Sequence, residues 1–282
     1  MDVKKLEQLE LDVLNSGKWG TIAPHSISVA SALAEFTGAG YGLLCHSNDA
    51  AYEALLRHLG ARLSARPHGD VVIVGEYSTP ANSLVALCVG ASPVFCPVCE
   101  KCGMIAPAAL EKILSESEMP IRAVVIDYLA EKEVACVYPL AKIAGICREH
   151  QVPLILNAGG CIGARHNGEP LTSFADAVLY SLGEGSAINA GGGGLVMTDD
   201  QALWAGAFAY HNCGRSFGAG CSLVMDNILG GDMRVTEWIA AVAEEILRQN
   251  ALSVPAERVP VLMKGQPVFE SDYAIKATKR CV

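Results

Sequence analysis

Short apolar runs alternate with amphipathic stretches along most of the chain. The apolar runs fit strands, and the stretches between them place apolar residues at the three-to-four-residue spacing of helices. Strands that alternate with helices predict βαβ units and therefore a mostly parallel sheet. The predicted strands are Gly42–Cys45, Val71–Gly75, Ser92–Phe95, Ala123–Asp127 and Pro153–Asn157, and the predicted helices are Asn48–Leu59, Pro80–Val89, Ala106–Glu116 and Leu140–His150.

The pattern changes after Asn157. Two apolar runs, Ala177–Ser181 and Gly194–Thr198, are separated by a glycine-rich loop, so we expect two strands without a helix between them. Two helices are predicted beyond them, near Asp200–Tyr210 and Val235–Gln249. The second of these helices places its apolar residues on one face, which indicates that it packs against the rest of the protein.

The composition fits a protein with a buried sheet. Of the 282 residues, 51% are hydrophobic and 18% are charged, against about 25% charged in an average soluble domain. A low charge fraction favours a sheet that is covered on both faces, or a surface that a partner covers. The net charge of −9 argues against nucleic acid or an anionic membrane as a partner.

Cysteine use and the N-terminal residues indicate a cytoplasmic protein. The first residues are charged and amphipathic, unlike a signal peptide. The 11 cysteines are odd in number and scattered, which favours reduced thiols. We expect Cys88, Cys136, Cys147 and Cys161 to be small core residues. The longest uncharged stretch, Tyr77–Cys99, contains several prolines, so no membrane-spanning segment is predicted.

Eight segments occur in a fixed order along the chain: LNSGKWGT, SNDAA, GASPVF, PLILNAGGCIGA, ADAVLYSL, AGGGGLVMTDD, HNCGR and GGDMRVTEW. In these segments and their order the chain resembles the DegT/DnrJ/EryC1/StrS sugar and cyclitol aminotransferases, which share the fold of aspartate aminotransferase and use pyridoxal phosphate (PLP). The resemblance implies a fold type I large domain over residues 1–250, with a mostly parallel sheet flanked by helices. It also implies that residues 251–282 are a short tail in place of the family's small domain.

Two residues that the family needs for PLP chemistry are replaced. The family lysine that forms the imine lies five residues after a serine, which matches Ser181, and the lysine position is Ser186. A serine hydroxyl cannot form an imine. The family aspartate that keeps the pyridine nitrogen protonated matches Asn157, which is neutral.

The implied phosphate site is also altered. The family's Ser-Gly-Thr turn at a helix N-terminus reads Ser47-Asn48-Asp49 here, and the Asp49 carboxylate would repel a phosphate. An asparagine that reaches the phosphate from the neighbouring subunit matches Asp232. The aromatic residue that stacks on the ring matches Thr79, and a glutamine near the ring oxygen matches Gly160. We therefore expect no bound cofactor.

What replaces the cofactor is left open by the sequence. Acids and hydroxyls at the former pocket suit a cation, an amino-sugar or an aminocyclitol. The alternative is a set of solvated residues in an unused cleft. The implied pocket positions are His46, Ser47, Asp49, Glu76, Tyr77, Thr79, Asn157, Gly160, Ser181, Glu184, Ser186 and Asp232.

A cysteine cluster and a His/Cys pair lie outside this pocket. Cys96, Cys99 and Cys102 have the spacing of thiolate ligands for zinc or an iron–sulfur cluster. The alternatives are three thiols in a surface or subunit-contact loop, or a redox role. His211 and Cys213 are expected to be structural.

Three functions remain at this point. The first is a non-catalytic or regulatory subunit, as a homodimer or as a heterodimer with a related aminotransferase or another pathway enzyme. The second is an enzyme that reuses the cleft for PLP-independent chemistry on a sugar or cyclitol. The third is a genuine aminotransferase whose lysine comes from elsewhere, with Lys264 and Lys276 as the candidates.

Overall fold

The computed structural model describes residues 3–250, apart from residue 21 and residues 62–68, 101–102, 129–138, 218–222 and 226–227. The strands are β1 Tyr41–Cys45, β2 Val71–Gly75, β3 Ser92–Cys96, β4 Ile121–Asp127, β5 Leu154–Asn157, β6 Arg165–His166, β7 Glu169–Pro170, β8 Ala177–Ser181, β9 Gly194–Thr198, β10 Arg215–Phe217 and β11 Leu223–Met225. The helices are α1 Val3–Ser16, α2 Pro24–Thr37, α3 Asn48–His58, α4 Pro80–Cys88, α5 Pro107–Glu116, α6 Leu140–Glu149, α7 Gln201–His211 and α8 Glu237–Asn250.

A seven-stranded sheet has the order β1-β9-β8-β5-β4-β2-β3. The neighbours β2/β3, β2/β4, β4/β5 and β5/β8 are parallel, and β9 is antiparallel to both β1 and β8. The mostly parallel α/β fold is thus confirmed, as is the direct connection between β8 and β9. Six strands therefore point the same way, and their carboxyl ends lie along one edge, which we call the carboxyl edge.

Two buried clusters cover the two faces of the sheet. In β2 all five residues are buried, so alternate side chains enter opposite clusters: Val71 and Ile73 belong to one, Val72 and Val74 to the other. A strand that is buried on both faces needs apolar residues at every position, which accounts for the continuous apolar runs in the sequence.

All predicted strands and helices are present, whereas α1 and α2 were not predicted. The buried positions of α2 are Ser26, Val29, Leu33, Ala34 and Thr37. Two of these are polar, and the Thr37 hydroxyl donates to the Leu33 carbonyl at 2.7 Å, so the apolar stripe is broken in the sequence. In α1, Val13 is the one buried residue of the helix.

Helix α8 fastens both N-terminal helices to the domain. The Glu237 carboxylate accepts hydrogen bonds from the backbone N–H groups of His25 and Ser26, at 2.9 and 3.0 Å, and so caps the first turn of α2. The Lys5 ammonium of α1 pairs with the Glu245 carboxylate at 2.9 Å. These long-range contacts stabilise helices whose own sequences are weakly patterned.

The expectations for cysteines and for the chain ends have mixed outcomes. Cys147 and Cys161 are buried, but Cys88 is exposed at the end of α4, so its assignment to the core is wrong. Cys136 and residues 251–282 lie outside the described residues, and the predicted domain boundary stays a prediction. Within the described part of the chain, no helix has the length and apolar character needed to cross a bilayer.

Candidate functional site

Most of the implied pocket positions lie at or just beyond the carboxyl edge. His46, Ser47 and Asp49 follow β1, and Asn157 ends β5. Ser181 ends β8, and an ideal Cβ placed on Gly159 would lie 3.6 Å from Asn157 Oδ1 and 3.9 Å from Ser181 Cβ. The fold therefore brings Asn157 and Ser181 to the two sides of one glycine.

Asn157 is tied into a chain of three amides. Its Nδ2 donates to Asn82 Oδ1 at 2.8 Å, and its Oδ1 accepts from Asn48 Nδ2 at 3.2 Å. Asn157 is 7% exposed and Asn82 is fully buried. The position at which the resemblance implies an acid is thus occupied by a neutral side chain that binds neighbouring protein groups through both of its polar atoms.

Asp127 is a buried carboxyl beside this amide chain. It ends β4 and lies opposite Asn157 in the register of β4 and β5. It accepts from the Thr79 backbone N–H at 2.7 Å and from the Thr79 hydroxyl at 3.0 Å. Burial raises the pKa of Asp127, against the opposing effects of its hydrogen bonds with Thr79 and Asn82. Thr79, which the resemblance aligns with a stacking aromatic residue, therefore anchors the first turn of α4.

The loop between β8 and β9 folds on itself. The Ser181 hydroxyl accepts from the Gly183 N–H at 3.1 Å, and the Ser186 hydroxyl accepts from the Ile188 N–H at 3.3 Å. Glu184 is exposed at the tip of this loop, and Gly160 lies half-buried in the turn that follows β5. Both serine hydroxyls therefore support local turns at the positions implied by the resemblance.

The N-terminus of α3 is close to the glycine-rich loop. The Ser47 hydroxyl caps α3 by accepting from the Ala50 N–H at 3.1 Å, and Asp49 is exposed in the first turn. The Gly193 N–H donates to the His46 carbonyl at 3.0 Å. A Cβ on Gly194 would collide with the Ser47 backbone, so only glycine permits this approach of β9 to the helix.

Asp232 lies on the segment between β11 and α8 and is held by Arg234 of the same chain. Two hydrogen bonds join the guanidinium to the carboxylate, Nε to Oδ1 at 2.7 Å and Nη2 to Oδ2 at 2.9 Å. The Arg234 side chain lowers the pKa of Asp232. The charge that the sequence predicted at this position is therefore present, but it is compensated by a cation.

Residues after β2 and β3 meet at the other end of the edge. Glu76 is exposed, Tyr77 is half-buried, and the Glu76 N–H donates to the Cys96 carbonyl at 2.9 Å. Burial, with a smaller effect of Glu76, raises the pKa of the Cys96 thiol to about 12. Within the described ranges no three His, Cys, Asp or Glu side chains are arranged to hold a metal ion. Cys102 lies outside those ranges, so the metal site at Cys96, Cys99 and Cys102 stays a prediction.

His211 is a buried residue of α7. Its Nδ1 lies 3.3 Å from the Phe208 carbonyl oxygen. Burial lowers the pKa of His211 to about 4, so the ring is neutral at physiological pH. Cys213 adopts a φ of 58° in the turn that follows the helix. These contacts fit the structural role expected for both residues.

Sequence reasoning did not assign Asn48, Asn82 and Asp127 to the site. Asp127 is the last residue of a predicted strand, and the carboxyl end of that strand was expected at the same edge as Asn157. This position could have indicated that Asp127 belongs to the site. Asn82 lies in the first turn of α4, and its contact with Asn157 spans 75 positions of the sequence. The order of the strands in the sheet decides whether two residues so far apart in the sequence come into contact.

Comparison with known proteins covers nearly the whole described chain. Residues 2–254 match the model of the DegT/DnrJ/EryC1/StrS aminotransferase family. The L-glutamine:2-deoxy-scyllo-inosose aminotransferase of Streptomyces fradiae is 29% identical over 198 residues, which cover 68% of this chain and 44% of the relative. The L-glutamine:scyllo-inosose aminotransferase of Streptomyces griseus is 30% identical over 204 residues, which cover 70% of this chain and 45% of the relative.

The fold is shared with solved structures at low identity. Helicobacter pylori PseC, an aminotransferase involved in the biosynthesis of pseudoaminic acid, aligns with a TM-score of 0.71 and 23% identity, over 87% of this chain and 62% of that one. The chain spans less than half the length of the two Streptomyces relatives. The family match, the shared fold and the ordered segments together show that this chain belongs to the DegT/DnrJ/EryC1/StrS aminotransferase family.

Proposed function

We propose that this chain is a PLP-free member of its family, and that it acts as a non-catalytic or regulatory subunit in a biosynthetic pathway of the sugar or aminocyclitol type. The observation that carries the proposal is the amide chain Asn48–Asn157–Asn82. A pyridine nitrogen stays protonated only beside a negative charge. Here the side chain at the family's acid position is neutral and already hydrogen-bonded on both sides.

The other cofactor positions do not fit PLP either. Ser186 has no amine, and residues 182–198 contain neither lysine nor histidine. The exposed carboxylate of Asp49 lies in the first turn of α3, where the family turn binds a phosphate. Thr79 is bound to Asp127 and presents no ring for stacking. We infer that these residues cannot hold the cofactor for catalysis.

An exposed apolar hairpin supports the role as a subunit. In β11 the exposed fractions are 45% for Leu223, 42% for Val224 and 71% for Met225, and Leu229 nearby is 91% exposed. Exposed apolar side chains on both faces of a short hairpin favour burial by another chain. We propose that this hairpin contacts a second copy or a related aminotransferase. The cyclitol-type pathway is supported by the names of the two Streptomyces relatives, whose stated substrates are inososes.

A second candidate is an enzyme that uses the cleft without PLP. It is favoured by the exposed carboxylates of Asp49, Glu76 and Glu184 around the carboxyl edge, because such a set attracts a cationic ligand such as an aminocyclitol. The third candidate, a true aminotransferase, would need a lysine such as Lys264 or Lys276, which lie outside the described residues.

The cofactor part is tested by adding PLP to the purified full chain. We expect no visible imine band and no borohydride-trapped pyridoxyl adduct, with the Streptomyces griseus relative as the positive control. A stable imine that survives gel filtration would overturn the proposal.

The subunit part is tested by co-expression with an intact aminotransferase of the same family, followed by light scattering on the purified complex. We expect a complex that Met225→Asp disrupts and that Leu84→Asp, at a 48% exposed position of α4, leaves intact. A monomer that binds neither itself nor the aminotransferase would contradict the subunit role.

A further inference from the structure

The hairpin of β6 and β7 carries the one Asn-Gly pair of the sequence at its tip. The two strands pair on either side of Asn167 and Gly168, which therefore form a two-residue turn. The φ angles of these residues are 51° and 84°. Two positive values are typical of a type I′ turn, for which Asn-Gly is a preferred pair. The geometry of the hairpin thus requires two residues that can also react with each other.

Both reacting groups are accessible in this turn. Asn167 and Gly168 are exposed, and a Cβ placed on Gly168 would meet no atom within 4 Å. Among the described residues, neither the Asn167 side chain nor the Gly168 N–H takes part in a hydrogen bond. Because Gly168 has no side chain, nothing on that residue hinders an approach of its nitrogen to the Asn167 amide.

The reaction open to this pair is deamidation through a cyclic imide. Asparagine is among the thermolabile residues of proteins. The Gly168 nitrogen loses its proton to hydroxide and attacks Asn167 Cγ, so that a new C–N bond closes a five-membered ring while the Cγ–Nδ2 bond breaks and ammonia leaves. Water then opens the ring. Cleavage at Cγ gives aspartate, and cleavage at the main-chain carbonyl gives isoaspartate, so one water is consumed and one ammonia is released in either case.

We propose that Asn167 is a site of deamidation in the folded protein, and that the product alters both the charge and the backbone of the hairpin. Aspartate adds a negative charge between Arg165 and Glu169. Isoaspartate also adds one carbon to the backbone of the turn, and a two-residue type I′ turn cannot accept this carbon without a change of strand register. The modification does not depend on whether the chain binds PLP or a partner.

The register of this hairpin matters because His166, next to the turn, is buried. His166 is 2% exposed, and its ring lies edge-on to Phe174 and to Tyr128, with centroids 5.0 and 6.5 Å apart. The Tyr128 N–H donates to the Asn157 carbonyl at 2.9 Å. An altered turn is therefore expected to disturb packing against a residue that is bonded to the candidate site.

The test is peptide mapping of the purified full chain after incubation at mildly alkaline pH, with an enzymatic methylation assay for isoaspartate. Asn189 is the matched control, because it is also exposed but is followed by Ala190. We expect deamidation at Asn167 to be about tenfold faster than at Asn189, since the Ala190 side chain hinders the attack and the Asn189 Oδ1 is bound to the Gly191 N–H. Equal rates at the two positions would overturn the proposal, as would the absence of modification at Asn167 in the folded chain.

Two variants separate the change of charge from the change of backbone. Asn167→Asp adds the charge alone and is expected to unfold at the temperature of the fresh parent, whereas the incubated parent, which contains isoaspartate, should unfold at a lower temperature. Asn167→Gly removes the amide and keeps a pair that suits the turn, so incubation should leave its unfolding temperature unchanged. If the incubated parent contained isoaspartate and still unfolded like the fresh chain, the proposed effect on the hairpin backbone would be wrong.

Discussion

The carboxylates of α8 and those around the carboxyl edge are the same chemical group in opposite surroundings. On α8, Glu237 is 1% exposed and Glu245 is 0% exposed, and both bind donors from α1 or α2. Around the edge, Asp49 and Glu184 are exposed. The carboxylates of α8 fasten helices to the domain. The carboxylates around the edge lie where a substitution alters the electrostatic potential at the surface with little effect on packing.

This difference explains how the family fold tolerates changes of residue at the carboxyl edge better than changes on α8. A residue that caps a helix or fills a core cannot change without a large loss of stability. Residues at the carboxyl ends of strands are held by the strands behind them and are freer to vary. Asn157 is the exception at the edge, because its side chain is buried and bonded on both sides.

The largest effect is expected for Glu237→Ala. Removal of this carboxylate leaves the His25 and Ser26 N–H groups without their acceptor in a buried place, which we expect to lower the free energy of unfolding by about 2–3 kcal/mol. Urea denaturation measures the loss. Glu184→Ala, at the carboxyl edge, is the control, and an equal loss in both variants would remove the distinction between the two regions.

Asn157→Asp introduces the acid that the resemblance implies at this position and is expected to destabilise this chain. The new carboxylate would face Asn82 Oδ1 in place of a donor and lie beside Asp127, at a cost of about 1–3 kcal/mol at neutral pH. The loss should shrink at acidic pH, where the new group is protonated. Asn189→Asp, at an exposed position, is the matched control, and thermal unfolding of both variants at two pH values decides the matter. A variant as stable as the parent would mean that the site still accommodates an acid.

Two carboxyls whose pKa values are shifted in opposite directions should give pH dependences of opposite sign. Because the pKa of Asp127 is raised above 3.8, its contribution to the free energy of unfolding is full below pH 3.8. That contribution is lost as the pH rises through the folded-state pKa. The pKa of Glu244 is lowered from 4.5, since hydrogen bonds from His25 and Ser28 outweigh the larger single effect of burial, which acts in the other direction. The contribution of Glu244 to the free energy of unfolding is present above pH 4.5 and is lost as the pH falls through its folded-state pKa.

The matched variants are Asp127→Asn and Glu244→Gln. In Asp127→Asn, the free energy of unfolding should no longer decrease as the pH rises. In Glu244→Gln, it should decrease less as the pH falls. If both variants changed the profile in the same direction, one of the two assignments would be wrong.

The smallest effect is expected for Asp49→Asn. The carboxylate is exposed in the first turn of α3, where its interaction with the helix dipole is worth only a few tenths of a kcal/mol. We expect a change in the free energy of unfolding within about 0.5 kcal/mol. The same variant should bind a phosphate ion no more weakly than the parent, as measured by calorimetry, because a negative charge has been removed. A large loss of stability would assign Asp49 to the structural group with Glu237.

Most of the fold was predictable because its strands are buried on both faces. The continuous apolar run Val71–Gly75 and the strict order of strands and helices require no knowledge of distant contacts. Helices α1 and α2 were missed for a physical reason, since their stability comes from Glu237 and Glu245 on α8, more than 200 positions away. Cys88 was placed in the core because burial statistics describe an average cysteine and not the exposed end of α4.

The site was predictable only in part. Its positions followed from the resemblance, and the predicted start of α3 at Asn48 is confirmed. The compensation of Asp232 by Arg234, the use of Thr79 as an anchor for α4, and the amide chain around Asn157 were not visible in the sequence. Each of these contacts depends on which side chains face each other, and the path of a loop or the order of the strands determines this.

The sequence by itself determined the strand–helix order and the family, because these follow from local periodicity and from short ordered segments. Only the tertiary structure decided what Asn157 binds, which carboxylates hold helices in place, and that Gly42 permits the close approach of α2 to β1. These features arise between elements far apart in the chain, where the energy of a side chain is set by its neighbours in space.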